Sequence, residues 1–146
     1  MTRPVPMTRA EFRQFTPMQT RLNDNDGYGH LYNVTYLELF DNAINGWLTA
    51  QGMQDLQGNR PIAVVAQNSC TYLRPAAYPD QLEIGLKLTR IGNASVTFAL
   101  AMFRKGEGQA VAQAAITMVF VRAGSHDSTP IPPDYREKLA QLGDQP

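Results

Sequence analysis

The groups able to do chemistry are concentrated in one stretch, Arg21-Leu-Asn-Asp24-Asn-Asp26-Gly-Tyr-Gly29-His30-Leu-Tyr-Asn33-Val-Thr-Tyr36. Asp24 and Asp26 stand just ahead of a helical pattern, with His30 and two glycines between them and the helix. A carboxylate can attack an electrophilic carbon or take a proton from water. The first N–H groups of a helix have no acceptor within it and lie at the positive end of its dipole, so they can stabilise a negative charge that develops nearby. Asp and Asn are also favoured as caps and turn formers, and the run by itself fits a plain strand-to-helix turn. His30 and the glycines are more than such a cap requires.

The elements that must position this stretch are legible from periodicity. Val34, Leu37, Phe40, Ile44, Trp47 and Leu48 recur at helical spacing, which predicts one long helix starting between His30 and Asn33 and stopping at Gly52. Gly46 inside it implies close packing against another backbone or simple tolerance. Upstream, brief alternation over Met18 to Asn23 predicts a short strand, and residues 1–14, with Pro4 and Pro6, read as a loosely ordered lead-in. Downstream of a polar connection the pattern is all strand. Pro61 to Leu73 is rich in β-branched and aromatic residues. Leu82, Ile84, Leu86 and Leu88 alternate with polar residues and Gly85, and Val96, Phe98, Leu100 and Met102 share a face. The stretch from Gln109 to Arg122 carries little charge and is expected to be central. Residues 125–146 form a loop and then a short helix from Asp134, with Tyr135, Leu139 and Leu142 on one side. Four successive strands joined largely by tight turns predict an α+β fold, a mostly antiparallel five-stranded sheet wrapped around one long central helix.

Composition narrows the function classes. The chain of 146 residues balances 13 basic against 13 acidic side chains at 43% apolar content, which fits one domain over 1–146. No basic cluster points to nucleic acid. No run approaches the ~18 apolar residues of a membrane helix, and Met1 to Thr20 lacks the apolar core of a signal peptide. The single cysteine, Cys70, suits a reducing, cytoplasmic compartment and, with two histidines, leaves too few ligands for a structural zinc site. No metal and no cofactor is expected.

The pattern Asp24-x-Asp26-x-x-Gly29-His30-x-x-Asn33-x-x-Tyr36, followed by one helix and four strands, resembles the hotdog-fold acyl-CoA thioesterases of the 4-hydroxybenzoyl-CoA thioesterase type. The likeness spans about residues 16 to 124 and includes Tyr72-Leu-Arg-Pro75, Asp80-Gln-Leu82 and Ile91-Gly-Asn-Ala-Ser95. It implies hydrolysis of a thioester carried by CoA or by an acyl-carrier protein. Asp26 would act as nucleophile or general base and the Asn33 amide would polarise the carbonyl oxygen. Gly29, His30 and Tyr36 would shape the site, and Asp24 would organise the turn. Tyr32 stands where the family often has Asn, which bears on acyl preference. The resemblance further implies a homodimer, or dimers paired into a tetramer, with sheets joined edge to edge. Gln67 and Asn68 would then line the partner's site, and Arg90, with Arg74 and Arg104, would meet the CoA phosphates.

Other groups fit chemistry less well. Ser125-His126-Asp127 are consecutive loop residues, whereas hydrolytic triads converge from separated positions. Cys70 has no histidine near it in sequence and sits mid-strand. Glu38, one to two turns into the helix, is the rival carboxylate. The rival reactions are enoyl-CoA hydration or dehydration, which would pair His30 with a carboxylate, and acyl-CoA binding without turnover.

Overall fold

The computed structural model describes residues 4–143, so the ends of the expected lead-in and of the C-terminal segment lie outside the described residues. In chain order it contains β1 (Gln14–Gln19), α1 (Asn33–Ala50), β2 (Ile62–Tyr72), β3 (Gln81–Ile91), β4 (Ser95–Arg104), β5 (Ala112–Val121) and α2 (Pro133–Ala140). All strand pairs are antiparallel, in the order β1-β3-β4-β5-β2. The inward residues of β3 and β4, Leu82, Ile84, Leu86, Val96, Phe98, Leu100 and Met102, join Phe40, Ala43 and Ile44 of α1 in one core. The sheet thus encloses the helix in the hotdog arrangement. Tyr135, Leu139 and Leu142 close one end of this core, as their helical spacing predicts.

The helix begins and ends where its residues dictate. Past Ala50, Gly52 adopts a left-handed φ of 73°. Its N–H reaches the Thr49 carbonyl at 3.0 Å, and the Met53 N–H reaches that of Leu48 at 2.9 Å, a pairing that satisfies carbonyls the last turn would leave open. Gly46 is exposed with nothing near a would-be Cβ, so it is tolerated rather than required by packing. The expected apolar stripe is rotated. Tyr36, Leu39 and Ala43 are buried, whereas Val34 is 56% exposed. Apolar residues cover more of the helix than the sheet does, and Val34 and Leu37 line a groove beside Val65 of the edge strand β2.

Three expectations are corrected. The strand expected over Met18 to Asn23 lies earlier, at Gln14–Gln19, paired with β3, and Leu22–Asp24 is a 3₁₀ turn. Pro17, which has no backbone N–H to donate, is accommodated because β1 is an edge strand. The strand expected to be central, β5, is interior, but β4 is the middle of the five. Nor do the last four strands follow one another across the sheet: β2 pairs with β5, and the connection after Tyr72 carries the chain to the other side before β3.

The N-terminal segment is also far from loose. Arg9–Glu11 form a 3₁₀ turn, the Arg9 N–H reaches the Gly108 carbonyl at 2.9 Å, and the Arg9 guanidinium pairs with Glu83 at 3.1 Å. Phe12, Ala101, Phe103 and Ala110 form a second buried cluster on the outer face of the sheet. Its centre is Gly85, where a Cβ would stand 2.5 Å from Cγ of Phe12. Gly85→Ala is expected to cost about 1–3 kcal/mol in urea denaturation. Combined with Phe12→Ala it should cost less than the two single losses added, because the clash then has no partner.

Candidate active site

The loop from Arg21 to Tyr32 builds itself around its two aspartates. Asp24 is buried, 3% exposed. Its Oδ2 accepts the Arg21 backbone N–H at 2.8 Å, and its Oδ1 accepts the Arg21 guanidinium at 2.8 Å. Those hydrogen bonds hold its carboxyl below the ordinary range, against burial, which acts the other way. The Asp24 carbonyl then takes the Tyr32 N–H at 2.8 Å, which fixes the residue that precedes the helix. Asp26 closes a tighter ring. Its N–H reaches the His30 carbonyl at 2.7 Å and its carbonyl takes the Gly29 N–H at 3.2 Å. Gly29 turns the chain with φ 80°, a conformation costly for any residue with a Cβ. Oδ1 of Asp26 accepts the Tyr28 and His30 amides at 2.8 and 3.3 Å. Among the described residues Oδ2 has no donor, so this half-exposed carboxylate is oriented by one oxygen and open at the other.

Facing this loop, α1 starts at Asn33 with no side-chain cap. The Thr35 N–H turns back to the Tyr32 carbonyl at 2.9 Å, while the Asn33 and Val34 N–H groups have no acceptor among the described residues. The connection after β2 forms the opposite wall. The Ala76 carbonyl takes the Leu31 N–H at 2.7 Å, and the Ala76 N–H donates to the Tyr36 hydroxyl at 3.1 Å. Burial pushes the Tyr36 phenol up, against that hydrogen bond. Tyr72 stacks edge-on against Tyr36 at 5.1 Å, and Arg104 ties down the Pro75 carbonyl.

Between these parts lies a cavity of about 470 Å³ lined by Asp26, His30, Leu31, Tyr32, Asn33, Tyr36 and Tyr72 to Pro75. The sequence-derived Asp26, His30, Asn33 and Tyr36 therefore meet at one place. Gln67 and Asn68, exposed on β2, and Arg90, exposed on β3, lie outside it. Glu38 lines the Val34–Val65 groove instead and pairs with Arg21 at 3.4 Å. Of the three arginines considered, Arg74 alone lines the cavity, held by Glu107 at 3.1 Å. Ser125 to Asp127 form an exposed turn after β5. Burial raises the half-buried Cys70 thiol, opposite to what a nucleophile needs. Sequence reasoning missed Tyr72 and Leu73 as wall residues, although the Tyr-Leu-Arg-Pro run marks where β2 ends. Among the described residues no three His, Cys, Asp or Glu side chains are placed to hold a metal, and no helix is long and apolar enough to cross a membrane.

An open carboxylate beside unanswered amides, on one helix inside a five-stranded antiparallel sheet, suits hydrolysis of an activated acyl group. Residues 20–139 match the thioesterase-like superfamily; the chain belongs to that family, and thioester hydrolysis is its class of reaction. It is 29% identical to the long-chain acyl-CoA thioesterase FadM of Escherichia coli K12 over 128 residues, 87% of this chain and 97% of FadM. The solved PA5185 protein of Pseudomonas aeruginosa PAO1 superposes with a TM-score of 0.91 at 40% identity, over 95% of this chain and 97% of that one. Slr0204 of Synechocystis, a 1,4-dihydroxy-2-naphthoyl-CoA thioesterase, shares the fold with a TM-score of 0.78 at 20% identity, over 88% and 96% of the two chains.

The Asp24 pairing has a pH signature. Its folded carboxyl titrates below the unfolded range, about 3.9, so the stability it adds is complete above that value and is lost as pH falls through the folded value. Asp24→Asn is expected to cost about 1.5–3 kcal/mol at pH 7. In urea titrations at pH 7, 5 and 3 the gap between wild type and variant should hold from 7 to 5 and narrow at 3.

Proposed function

We propose that the protein hydrolyses acyl-CoA thioesters to the free acid and CoA, with Asp26 as the nucleophile or general base and the Asn33 amide as oxyanion donor. The observation that carries this reading is that the Asp26 carboxylate and the unanswered amide of Asn33 line one cavity. Such donors need no reorganisation as charge develops on the carbonyl oxygen, and losing one typically costs about 10² to 10³ in turnover.

The chemistry runs by one of two balanced routes. As a base, Asp26 takes a proton from water while the water oxygen bonds to the thioester carbon. The oxyanion that forms is held by the helix amides, then collapses to expel the CoA thiolate, which takes up a proton. As a nucleophile, Asp26 bonds to the carbon itself and expels the thiolate, and water then cleaves the mixed anhydride. Gly29 sets the bend that aims the carboxylate, while His30 and Tyr36 border the site. His30 reaches Asp26 through its backbone N–H, and among the described residues its ring makes no hydrogen bond. That leaves the hydratase reading without its histidine–carboxylate pair. Arg74 at the rim is the candidate for the CoA phosphates, whereas Arg90, near the end of β3, lies outside the cavity. An acyl-carrier protein offers the same thioester. FadM, whose name specifies a long-chain acyl-CoA substrate, supports CoA as the carrier, and a cytoplasmic setting fits that supply and the free thiol of Cys70.

The outer edge of β2 is unpaired in the single chain, and Val65, Gln67 and Asn68 on it are exposed. A second copy pairing there forms a homodimer, or the unit of a tetramer, and carries Gln67 and Asn68 toward the partner's cavity. Val65→Asp, which places charge on that edge, is expected to shift sedimentation to the monomer.

Thiol release over a panel of acyl-CoAs tests the chemistry. Asp26→Asn should lose at least about 10²-fold in kcat and keep acyl-CoA binding, whereas Glu38→Gln should keep turnover. Full activity in the first with loss in the second would transfer the role to Glu38.

A further inference from the structure

Tyr72, the last residue of β2, is 48% exposed, yet its hydroxyl donates to the carbonyl of Asn33 at 3.1 Å rather than only to solvent. In the helix pattern that carbonyl already takes the N–H of Leu37, so Tyr72 uses its second lone pair and relieves no orphaned group. The far end of the same peptide unit is the Val34 N–H, which has no acceptor among the described residues and neighbours the free N–H of Asn33. A hydrogen bond at the Asn33 carbonyl fixes the plane of that peptide unit, and with it the residue whose own N–H stands on the cavity wall. The Tyr72 ring is itself braced, edge-on at 80° against Tyr36, whose hydroxyl is bonded to the Ala76 N–H.

We propose that Tyr72 is a positioning residue for thioester cleavage: its hydroxyl rivets Asn33, at the first turn of α1, to the end of β2, so that the Asn33 amide on the cavity wall holds its aim on the developing oxyanion. The role rests on the hydrolytic reading above. It acts on the transition state, because the oxyanion is where that donor is used, and a donor shifted slightly costs rate more than binding.

Tyr72→Phe keeps the ring and its stacking and removes only the hydroxyl. With the acyl-CoA that wild type turns over fastest, kcat should fall about tenfold, equivalent to about 1.4 kcal/mol of barrier, with KM within about twofold. Melting temperature should be unchanged, and amide hydrogen exchange at Leu37, whose N–H shares the Asn33 carbonyl with Tyr72, should speed up. Wild-type kcat in this variant overturns the proposal. So does a loss that appears in KM or in melting temperature instead of kcat, since that marks Tyr72 as a wall or a brace of the fold. Wild-type protein that releases no thiol from any acyl-CoA sinks the hydrolytic reading and the role with it, whereas an active wild type with an unaffected variant sinks the role alone.

Discussion

A helix leaves its first amides without a protein acceptor unless a side chain or another strand supplies one. At Asn33 neither does, and the surrounding structure keeps it so. Tyr32 enters the helix without a capping hydrogen bond, and the Thr35 N–H is drawn back to Tyr32, which leaves the N–H groups of Asn33 and Val34 without acceptors among the described residues, Asn33 on the cavity wall. Burying the body of α1 under the sheet holds those donors in place, because the apolar face anchored by Phe40, Ala43 and Ile44 cannot rotate without opening the core.

Two aspartates two residues apart serve opposite ends, and the difference is one of environment. Asp24 is buried, paired with Arg21 and fully engaged, so its charge is spent on shaping the chain. Asp26 uses one oxygen on loop amides and keeps the other open. Each aspartate organises the segment that presents the next group through its backbone: the Asp24 carbonyl sets Tyr32 at the head of the helix, and the Asp26 N–H and carbonyl close the ring that Gly29 makes possible.

The parts of this arrangement that sequence reveals are those with strong local signals. The helix bounds, the alternation of β3 and β4 and the Asp26 to Asn33 spacing all appear in short-range pattern. What escaped depends on distant partners. Phe12 in a Pro-flanked, polar segment reads as lead-in until Gly85 is seen to leave room for its ring. Val34 and Leu37 look like core because nothing local says that the sheet stops short of them. Tyr72 belongs to the cavity only because β2 ends beside the helix start, a fact set by its pairing with β5 and not by its neighbours in sequence. Gln67, Asn68 and Arg90 sit outside the single-chain cavity, where their meaning depends on what lies against the β2 edge.

The wall after β2 has a consequence for how the protein is made. The Leu31–Ala76 and Asn25–Tyr78 hydrogen bonds, at 2.7 and 2.9 Å, join chain segments far apart in sequence, and β2 finds its place only by pairing with β5 near the end of the chain. Closing such long loops is entropically costly and slow. The pocket therefore exists only once these long-range pairings are made, and a partly unfolded chain has no such wall. The walls of the site are thus supplied by both halves of the chain, and neither half alone encloses it.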